Sequence, residues 1–218
     1  MKAILISIQP QWVEKILNGE KTIEIRKSVP SLTRKKKFEP IIVYIYCTKG
    51  ETGLYKMGDE YVAVKHRLVH IIPELNGKVV AKFTLKRVYD LGRIVEYWTD
   101  KDEFHNGVEK LSCLTQAELI EYAGIQKDGL PSRLHAWYIN NLQIFDKPMT
   151  IGLTGNPGDT FAKIYPIKNF GYEKCGEKGH CTHGQQGGTS MCDSPRCLWN
   201  CLGVQRAPQS WQFVEVSI

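Results

Sequence analysis

The apolar residues of this chain fall in short, β-branched runs, and this pattern limits the fold more than any other feature of the sequence. Five runs read as strands: Lys2 to Ile8, Ile41 to Cys47, Lys78 to Val88, His135 to Phe145 and Trp211 to Val216. Only two stretches have helical spacing, one after Pro10 and one from Thr115 to Tyr122, which opens with a capping box of Thr115 and Glu118. Helices so few and so irregularly placed do not suit a doubly wound parallel sheet. The sequence therefore predicts an α+β fold.

Size and charge are typical of one folded domain with insertions. The chain has 218 residues, 42% of them hydrophobic, which is enough for one buried core, so we predict a single domain over 1–218. The longest apolar run near the start, Ala3 to Ile6, is too short for a signal peptide or a membrane span, which predicts a soluble, cytoplasmic protein without a membrane partner. A net charge of +6 favours an anionic partner such as nucleic acid, although it would also suit a merely soluble protein. The basic run from Arg34 to Lys37 is either a solvated loop or a nucleic-acid contact.

The first helix is predicted to begin at Pro10 and to end before Gly19. Proline fits the first helical position, Ile8 and Val13 can form a hydrophobic staple, and Gly19 stands where a left-handed cap would end the helix. The apolar residues of this helix share one face, which we assign to the core: Trp12, Val13, Ile16 and Leu17.

The segment from Gly19 to Arg26 is the strongest candidate for a functional site, because a capped helix passes there directly into a strand. Strand alternation predicts two faces, with Ile23 and Ile25 inward and Thr22, Glu24 and Arg26 outward. The long side chain of Lys21 can reach the outward face from the turn. Arginine offers a planar fork for phosphate or a base edge, lysine a point charge or tunable base, and glutamate an acceptor for an exocyclic amine. The alternative, favoured by spacing alone, is a surface ion pair.

The same segment resembles the Gly-x-Lys-x-x-Glu-x-Arg motif of the ASCH domain, with Gly19, Lys21, Glu24 and Arg26 at its four fixed positions. The likeness extends to the strand and helix before the motif and to the later strand around Trp137. This resemblance implies a PUA-like β-barrel with short flanking helices and a cleft that faces RNA. It further implies that Lys21, Glu24 and Arg26 line the cleft and bind RNA or a modified nucleoside.

Some ASCH relatives are enzymes, and the chain also resembles the small ASCH proteins that remove the acetyl group from N4-acetylcytidine. That resemblance gives the alternative function, a hydrolase of an acylated nucleoside, in which Lys21 has a depressed pKa and Glu24 or Thr22 assists. Glu24 stands where those enzymes have their nucleophilic threonine. Three residues remain open for a further catalytic glutamate: Glu96, Glu103 and Glu109. A third alternative is a surface that mainly contacts another protein.

The segment 171–203 is rich in cysteine and glycine and has almost no apolar periodicity, so we interpret it as an insertion before a closing strand over 211–216. It contains more soft ligands than one tetrahedral zinc needs: Cys175, Cys181, His183, Cys192, Cys197 and Cys201. Their spacing fits no standard zinc finger. The two alternatives are a structural zinc, whose binding energy would order the segment, and reduced thiols in a loop.

Overall fold

The computed structural model of the chain describes residues 2–34, 38–65, 72–93, 103–150, 164–166 and 209–216. The helices are α1 (Pro10–Leu17), α2 (Glu103–Ser112) and α3 (Gln116–Ala123), and a short 3-10 helix covers Ser31–Arg34. The strands are β1 (Lys2–Ile8), β2 (Ile23–Arg26), β3 (Ile41–Cys47), β4 (Gly53–Met57), β5 (Glu60–Val64), β6 (Lys78–Leu85), β7 (Val88–Arg93), β8 (Arg133–Tyr138), β9 (Asn140–Thr150), β10 (Ile164–Pro166) and β11 (Trp211–Val216). This part of the chain is mostly β-sheet with few helices, as the sequence predicts.

The largest sheet has the strand order β10-β11-β1-β3-β6-β9, in which only β1 and β3 are parallel among the described pairs. Its central strand β1 is buried on both faces, which fits a continuous apolar run. The main core lies on one face and includes Ile4, Ile6, Val43, Phe83 and Trp137. Burial of Trp137 in the core is therefore confirmed, and its side chain is 0% exposed.

A second sheet, of order β2-β8-β7, brings the predicted site between two cores. Ile23 and Ile25 of β2 pack with Leu119 and Ala123 of α3 in a small core. The other face of β2 carries Glu24, which lies directly opposite Trp137 in the β2–β8 pairing. Glu24 and Arg26 therefore face away from the small core, on the side of the main one.

The predicted closure into a barrel is wrong for the part of the chain that the structure describes. The largest sheet ends at β10 on one side and at β9 on the other, and no described strand pair joins those ends. Strands β8 and β9 are separated by one residue, Ile139, yet β8 pairs with β2 and β7 while β9 pairs with β6. The chain thus changes sheet where a barrel would continue. The apolar pattern predicts where strands lie but not which strands pair with each other, because paired strands are distant in sequence.

The predicted ends of the first and last described helices are confirmed. Pro10 opens α1, Gly19 follows it with φ of 80°, and Thr115 caps α3 in a capping box with Glu118. Helix α2 was not predicted. The predicted strand from Lys78 to Val88 is divided at two charged residues into β6 and β7, which belong to different sheets.

Two other predictions concern residues or properties that the described ranges leave open. The insertion over 171–203 lies outside them, and the single-domain organisation stays a prediction. A strand occupies 211–216, where β11 pairs antiparallel with β1. Among the described residues, every helix is too short or too polar to cross a lipid bilayer.

Candidate functional site

The turn between α1 and β2 sets the direction of Lys21. Gly19 adopts a left-handed conformation, and the backbone N–H groups of Glu20 and Lys21 both donate to the carbonyl of Lys15 at 2.9 and 3.0 Å. This C-terminal cap fixes the last turn of α1 and starts the strand two residues later. Lys21 therefore leaves a rigid turn, and its side chain points back across the face that carries Glu24.

Three ionisable side chains meet on this face and are almost fully buried. The side chains of Lys21, Glu24 and Arg26 are 1%, 9% and 9% exposed. The Nζ atom of Lys21 lies 3.4 Å from Oε2 of Glu24, and a terminal nitrogen of Arg26 lies 3.0 Å from Oε1. We call this group the charged triad. The alternative of a surface ion pair is wrong, because all three side chains are withdrawn from solvent.

Lys21 also completes the end of α2. Its ammonium donates to the carbonyl of Ser112, the last residue of that helix, at 2.7 Å. A helix leaves its final carbonyl groups without partners within the helix, and a cation there interacts favourably with the helix dipole. Lys21 Nζ lies 5.5 Å from the ring centroid of Trp12 as well. Burial nevertheless lowers the pKa of Lys21, and the nearby Glu24 carboxylate opposes that shift.

Arg26 is held by backbone and side-chain acceptors from distant parts of the chain. One terminal nitrogen donates to the carbonyl of Ser7 at 2.6 Å, and the other donates to Oγ of Ser210 at 3.3 Å. Its Nε atom is buried and has no hydrogen-bond partner within the described residues. A guanidinium has five N–H donors. The guanidinium is therefore fixed in position, with its terminal nitrogens bound to Glu24, Ser7 and Ser210.

A cleft of about 810 Å³ opens beside the charged triad. All three triad residues line it, together with Trp12 and the exposed Tyr122. Two cations stand against one carboxylate in the triad, so its formal charge is positive when Lys21 is protonated. The cleft thus combines aromatic surface with two buried cations, a pairing that favours a flat, electron-rich ligand, while Lys27, Glu118 and Glu121 bring the formal charge of its described lining to zero.

Several lining residues were not predicted as functional. Trp12 packs against the main core, as predicted for its helix face, but it is half-buried and also lines the cleft. Tyr122, Glu118 and Glu121 come from α3 and line the opposite wall. The capping box predicted the helix but gave no sign of what the helix packs against. The backbone N–H of Thr115 donates to the carboxylate of Glu118 at 2.8 Å, which lowers the pKa of Glu118.

Of the other catalytic candidates, Thr22 and Glu109 lie outside the described cleft lining. Thr22 is exposed, and it is absent from the cleft lining. Of the three open glutamates, Glu96 lies outside the described residues, only the backbone of Glu103 is described, and Glu109 does not line the cleft. The lining carboxylates besides Glu24 are Glu118 and Glu121.

The zinc prediction concerns residues that the structure does not describe. All six candidate ligands lie outside the described ranges: Cys175, Cys181, His183, Cys192, Cys197 and Cys201. Within those ranges, no group of three or more His, Cys, Asp or Glu side chains is arranged to hold a metal ion. The two described cysteines, Cys47 and Cys113, are free thiols. A structural zinc in the cysteine-rich segment stays a prediction.

Comparison with known proteins gives a structural likeness only. No family model and no curated protein matches the sequence. An ASCH structure from Zymomonas mobilis matches with a TM-score of 0.42 and 15% identity, covering 68% of this chain and 73% of that chain. A tyrosine-to-phenylalanine variant of the same organism's ASCH protein matches with a TM-score of 0.40 and 14% identity, covering 69% and 77%. The resemblance to ASCH proteins predicted from the motif is therefore present, at a level that carries no residue role or activity to this chain.

Proposed function

We propose that the cleft binds an unpaired nucleoside of RNA, including a chemically modified one. The observation that carries the proposal is the charged triad itself, in which two buried cations share one carboxylate on the wall of an open cleft. Buried charges without full pairing are costly to a folded protein, and an electron-rich ligand would offset that cost. A volume of about 810 Å³ falls within the range of roughly 300–1,000 Å³ found for small-ligand sites.

Four of the lining residues have roles that their chemistry supports. Trp12 and Tyr122 provide aromatic surface for a stacked base, worth about 1–3 kcal/mol per base. The terminal N–H groups of Arg26 suit a ring carbonyl or a phosphate oxygen. Glu24 accepts from Lys21 and Arg26, and the second lone pair on each carboxylate oxygen remains suitable for an exocyclic amine.

Unpaired RNA is a better ligand than a duplex. In an A-form helix the base edges lie in a deep, narrow groove that side chains cannot enter, whereas an unpaired base exposes both its face and its edges. Stacking on Trp12 or Tyr122 requires an exposed base face, and hydrogen bonds from Arg26 require an exposed base edge. A ligand of the cleft must therefore present both. The proposal therefore predicts preference for single-stranded loops or ends.

Equilibrium titration with single-stranded RNA tests the proposal. Arg26→Lys keeps the positive charge but removes the planar fork, and Trp12→Leu removes the stacking surface at a half-buried position. We expect each change to weaken binding by about 1–3 kcal/mol, roughly 5- to 150-fold. Arg93→Lys is the matched control, because Arg93 is partly exposed and pairs with Asp128 away from the cleft. Wild-type affinity in both cleft variants, with folding checked by circular dichroism, would refute the proposal.

The lowered pKa of Lys21 supports a second candidate function, hydrolysis of an acylated nucleoside such as N4-acetylcytidine. A buried lysine that loses its proton more readily can act as a general base toward water. In that reaction water adds to the acetyl carbonyl, the amide C–N bond breaks, and cytidine leaves with a proton as acetate forms. Thr22 is exposed outside the cleft lining, so water is the better nucleophile here.

Incubation of the protein with N4-acetylcytidine separates the two functions. An amidohydrolase releases cytidine and acetate, whereas a binding module returns the nucleoside unchanged. Lys21→Met removes the amine, and Glu121→Gln tests the one lining glutamate of α3 that lies outside the capping box. Absence of cytidine release by the wild-type protein, under conditions where the nucleoside binds, would leave binding as the function.

A further inference from the structure

A second cavity, of about 870 Å³, lies next to the cleft and shares two wall residues with it. Lys27 and Ser28 line both spaces, and they directly follow the last residue of β2. The Ser28 hydroxyl accepts a hydrogen bond from Nε1 of Trp211 at 3.0 Å, which ties this shared wall to β11. We call the second cavity the basic groove. A ligand bound in the cleft can therefore extend into the basic groove past Lys27 and Ser28.

Four exposed cations line the basic groove: Lys27, Arg34, Lys86 and Arg87. Within the described ranges none of them forms an ion pair with a carboxylate. Among the described residues of the lining, Asp90 is the only acidic one. Its carboxylate already pairs with Arg133 and accepts a hydrogen bond from the backbone N–H of Gly92. The positive charge of the groove is therefore not neutralised by the described residues around it.

Aromatic rings hold two of these cations in place without cancelling their charge. Arg87 Cζ lies 4.9 Å from the ring centroid of Tyr89, and Lys27 Nζ lies 5.2 Å from that of Tyr122, which lines the cleft. A cation over an aromatic face gains roughly 0.5–1 kcal/mol at an exposed site. The two side chains are positioned in this way and remain available to an anion. Lys27 in particular reaches from the groove toward the aromatic wall of the cleft.

The backbone positions of Lys86, Arg87 and Arg34 explain why they meet at the groove. Lys86 and Arg87 are the two residues between β6 and β7, at the point where the chain changes sheet. Arg34 ends the 3-10 helix, whose Thr33 donates to the carbonyl of Pro30 through both its backbone N–H and its hydroxyl, at 2.9 and 2.8 Å. Half-buried Phe38 and Val88 add apolar surface between the charges. Cations beside an apolar surface suit the phosphates and sugars of a nucleic-acid strand.

We propose that the basic groove binds the sugar–phosphate backbone of the same RNA strand whose nucleoside occupies the cleft. The inference rests on the proposed function, and it makes the preferred ligand an oligonucleotide in place of a free nucleoside. Phosphate contacts by Lys and Arg release counterions, so this part of the binding depends strongly on salt and weakly on sequence. An acidic protein segment is the other chemistry that four cations would attract, and the test includes it.

The double variant Lys86→Gln/Arg87→Gln removes two cations of the groove and leaves the cleft lining unchanged. Both residues are exposed, so folding should be unaffected. Each phosphate contact to a single strand contributes about 0.7 to the slope of log K against log salt. For an RNA oligonucleotide, we expect the magnitude of this slope to decrease by about 1.4, and the affinity at 0.1 M salt to decrease roughly 10- to 30-fold. Affinity for the free nucleoside should not change.

The control is Lys110→Gln/Lys127→Gln, which removes the same charge from exposed residues that line neither cavity. If the groove variant and the control keep the same oligonucleotide affinity and salt slope, the inference is overturned, while loss of binding in Arg26→Lys would still support the cleft. If the groove variant weakens RNA binding but Arg26→Lys and Trp12→Leu do not, the groove is supported and the proposed function fails. Displacement of RNA by polyglutamate at equal charge concentration would also overturn the inference.

Discussion

Replacing Glu24 by glutamine is the sharpest physical test of the charged triad. The substitution keeps the size of the side chain but removes the one negative charge that faces Lys21 at 3.4 Å and Arg26 at 3.0 Å. Two cations would then remain together with side-chain exposures of 1% and 9%. Neither can reach solvent without movement of the turn or of the strand. The folded state must therefore carry uncompensated buried charge or lose the proton of Lys21.

The expected loss is large compared with that of a surface pair. Removing one partner of a buried ion pair costs roughly 3–5 kcal/mol, because the remaining charge is left without compensation. We expect about 3 kcal/mol for Glu24→Gln, at the lower end, since the glutamine oxygen can still accept one hydrogen bond. The double variant Lys21→Met/Glu24→Gln should recover part of this loss, with a coupling of about 1–3 kcal/mol between the two positions.

Urea unfolding measures these differences in the free energy of unfolding, and Glu20, in the turn before β2, provides the control. Glu20 forms an ion pair with Lys15 at 3.1 Å, but the two side chains are 55% and 35% exposed. Glu20→Gln removes the same charge four residues earlier and should cost at most about 1 kcal/mol, as exposed pairs do. Equal losses for Glu20→Gln and Glu24→Gln would show that the triad is not electrostatically distinct, and the physical basis of the proposed cleft would be wrong.

Three further predictions follow from individual side chains. Because burial lowers the pKa of Lys21, the unfolded chain binds more protons than the folded protein between that lowered pKa and 10.5. The free energy of unfolding, measured by urea titration, should therefore rise with pH across this window. The variant Lys21→Met should flatten that rise. Burial raises the pKa of Cys47 to about 12, so mass spectrometry after brief alkylation of the folded protein should find Cys113 modified and Cys47 intact. Thr115→Ala removes the hydroxyl that caps α3 and donates to Glu118, but it keeps the backbone N–H that also lowers the pKa of Glu118. The substitution should cost about 1 kcal/mol near neutral pH, with the difference shrinking as pH falls through the pKa of Glu118 in thermal unfolding.

Local chemistry accounts for what the sequence predicted well. The alternation of β2 fixes which side chains share a face, so Ile23 and Ile25 could be separated from Glu24 and Arg26 without knowledge of the fold. The cap at Gly19 and the capping box at Thr115 are likewise set within a few residues. These features depend on contacts between near neighbours. They would hold in almost any tertiary arrangement that keeps the helix and the strand.

The burial of the same face depends on partners that no local pattern reveals. The carbonyl that accepts from Lys21 belongs to Ser112, 91 residues away, and the hydroxyl that accepts from Arg26 belongs to Ser210, 184 residues away. Trp12 has the helical spacing of a core residue and lies at the edge of its apolar face, where core and cleft meet. Helical periodicity predicts the direction of a side chain but not whether other segments of the chain cover it.

The charged triad is a poor arrangement for stability alone, which strengthens the case that it is retained for a ligand. A buried donor without a partner costs about 1–3 kcal/mol, and Nε of Arg26 is such a donor within the described residues. Well-packed apolar side chains of similar volume are often as stable as a buried ion pair, or more so. A protein that keeps Lys21, Glu24 and Arg26 beside an open cleft therefore accepts a folding penalty. The basic groove differs in this respect, because its exposed cations carry no comparable burial cost and contribute mainly through long-range attraction that salt screens.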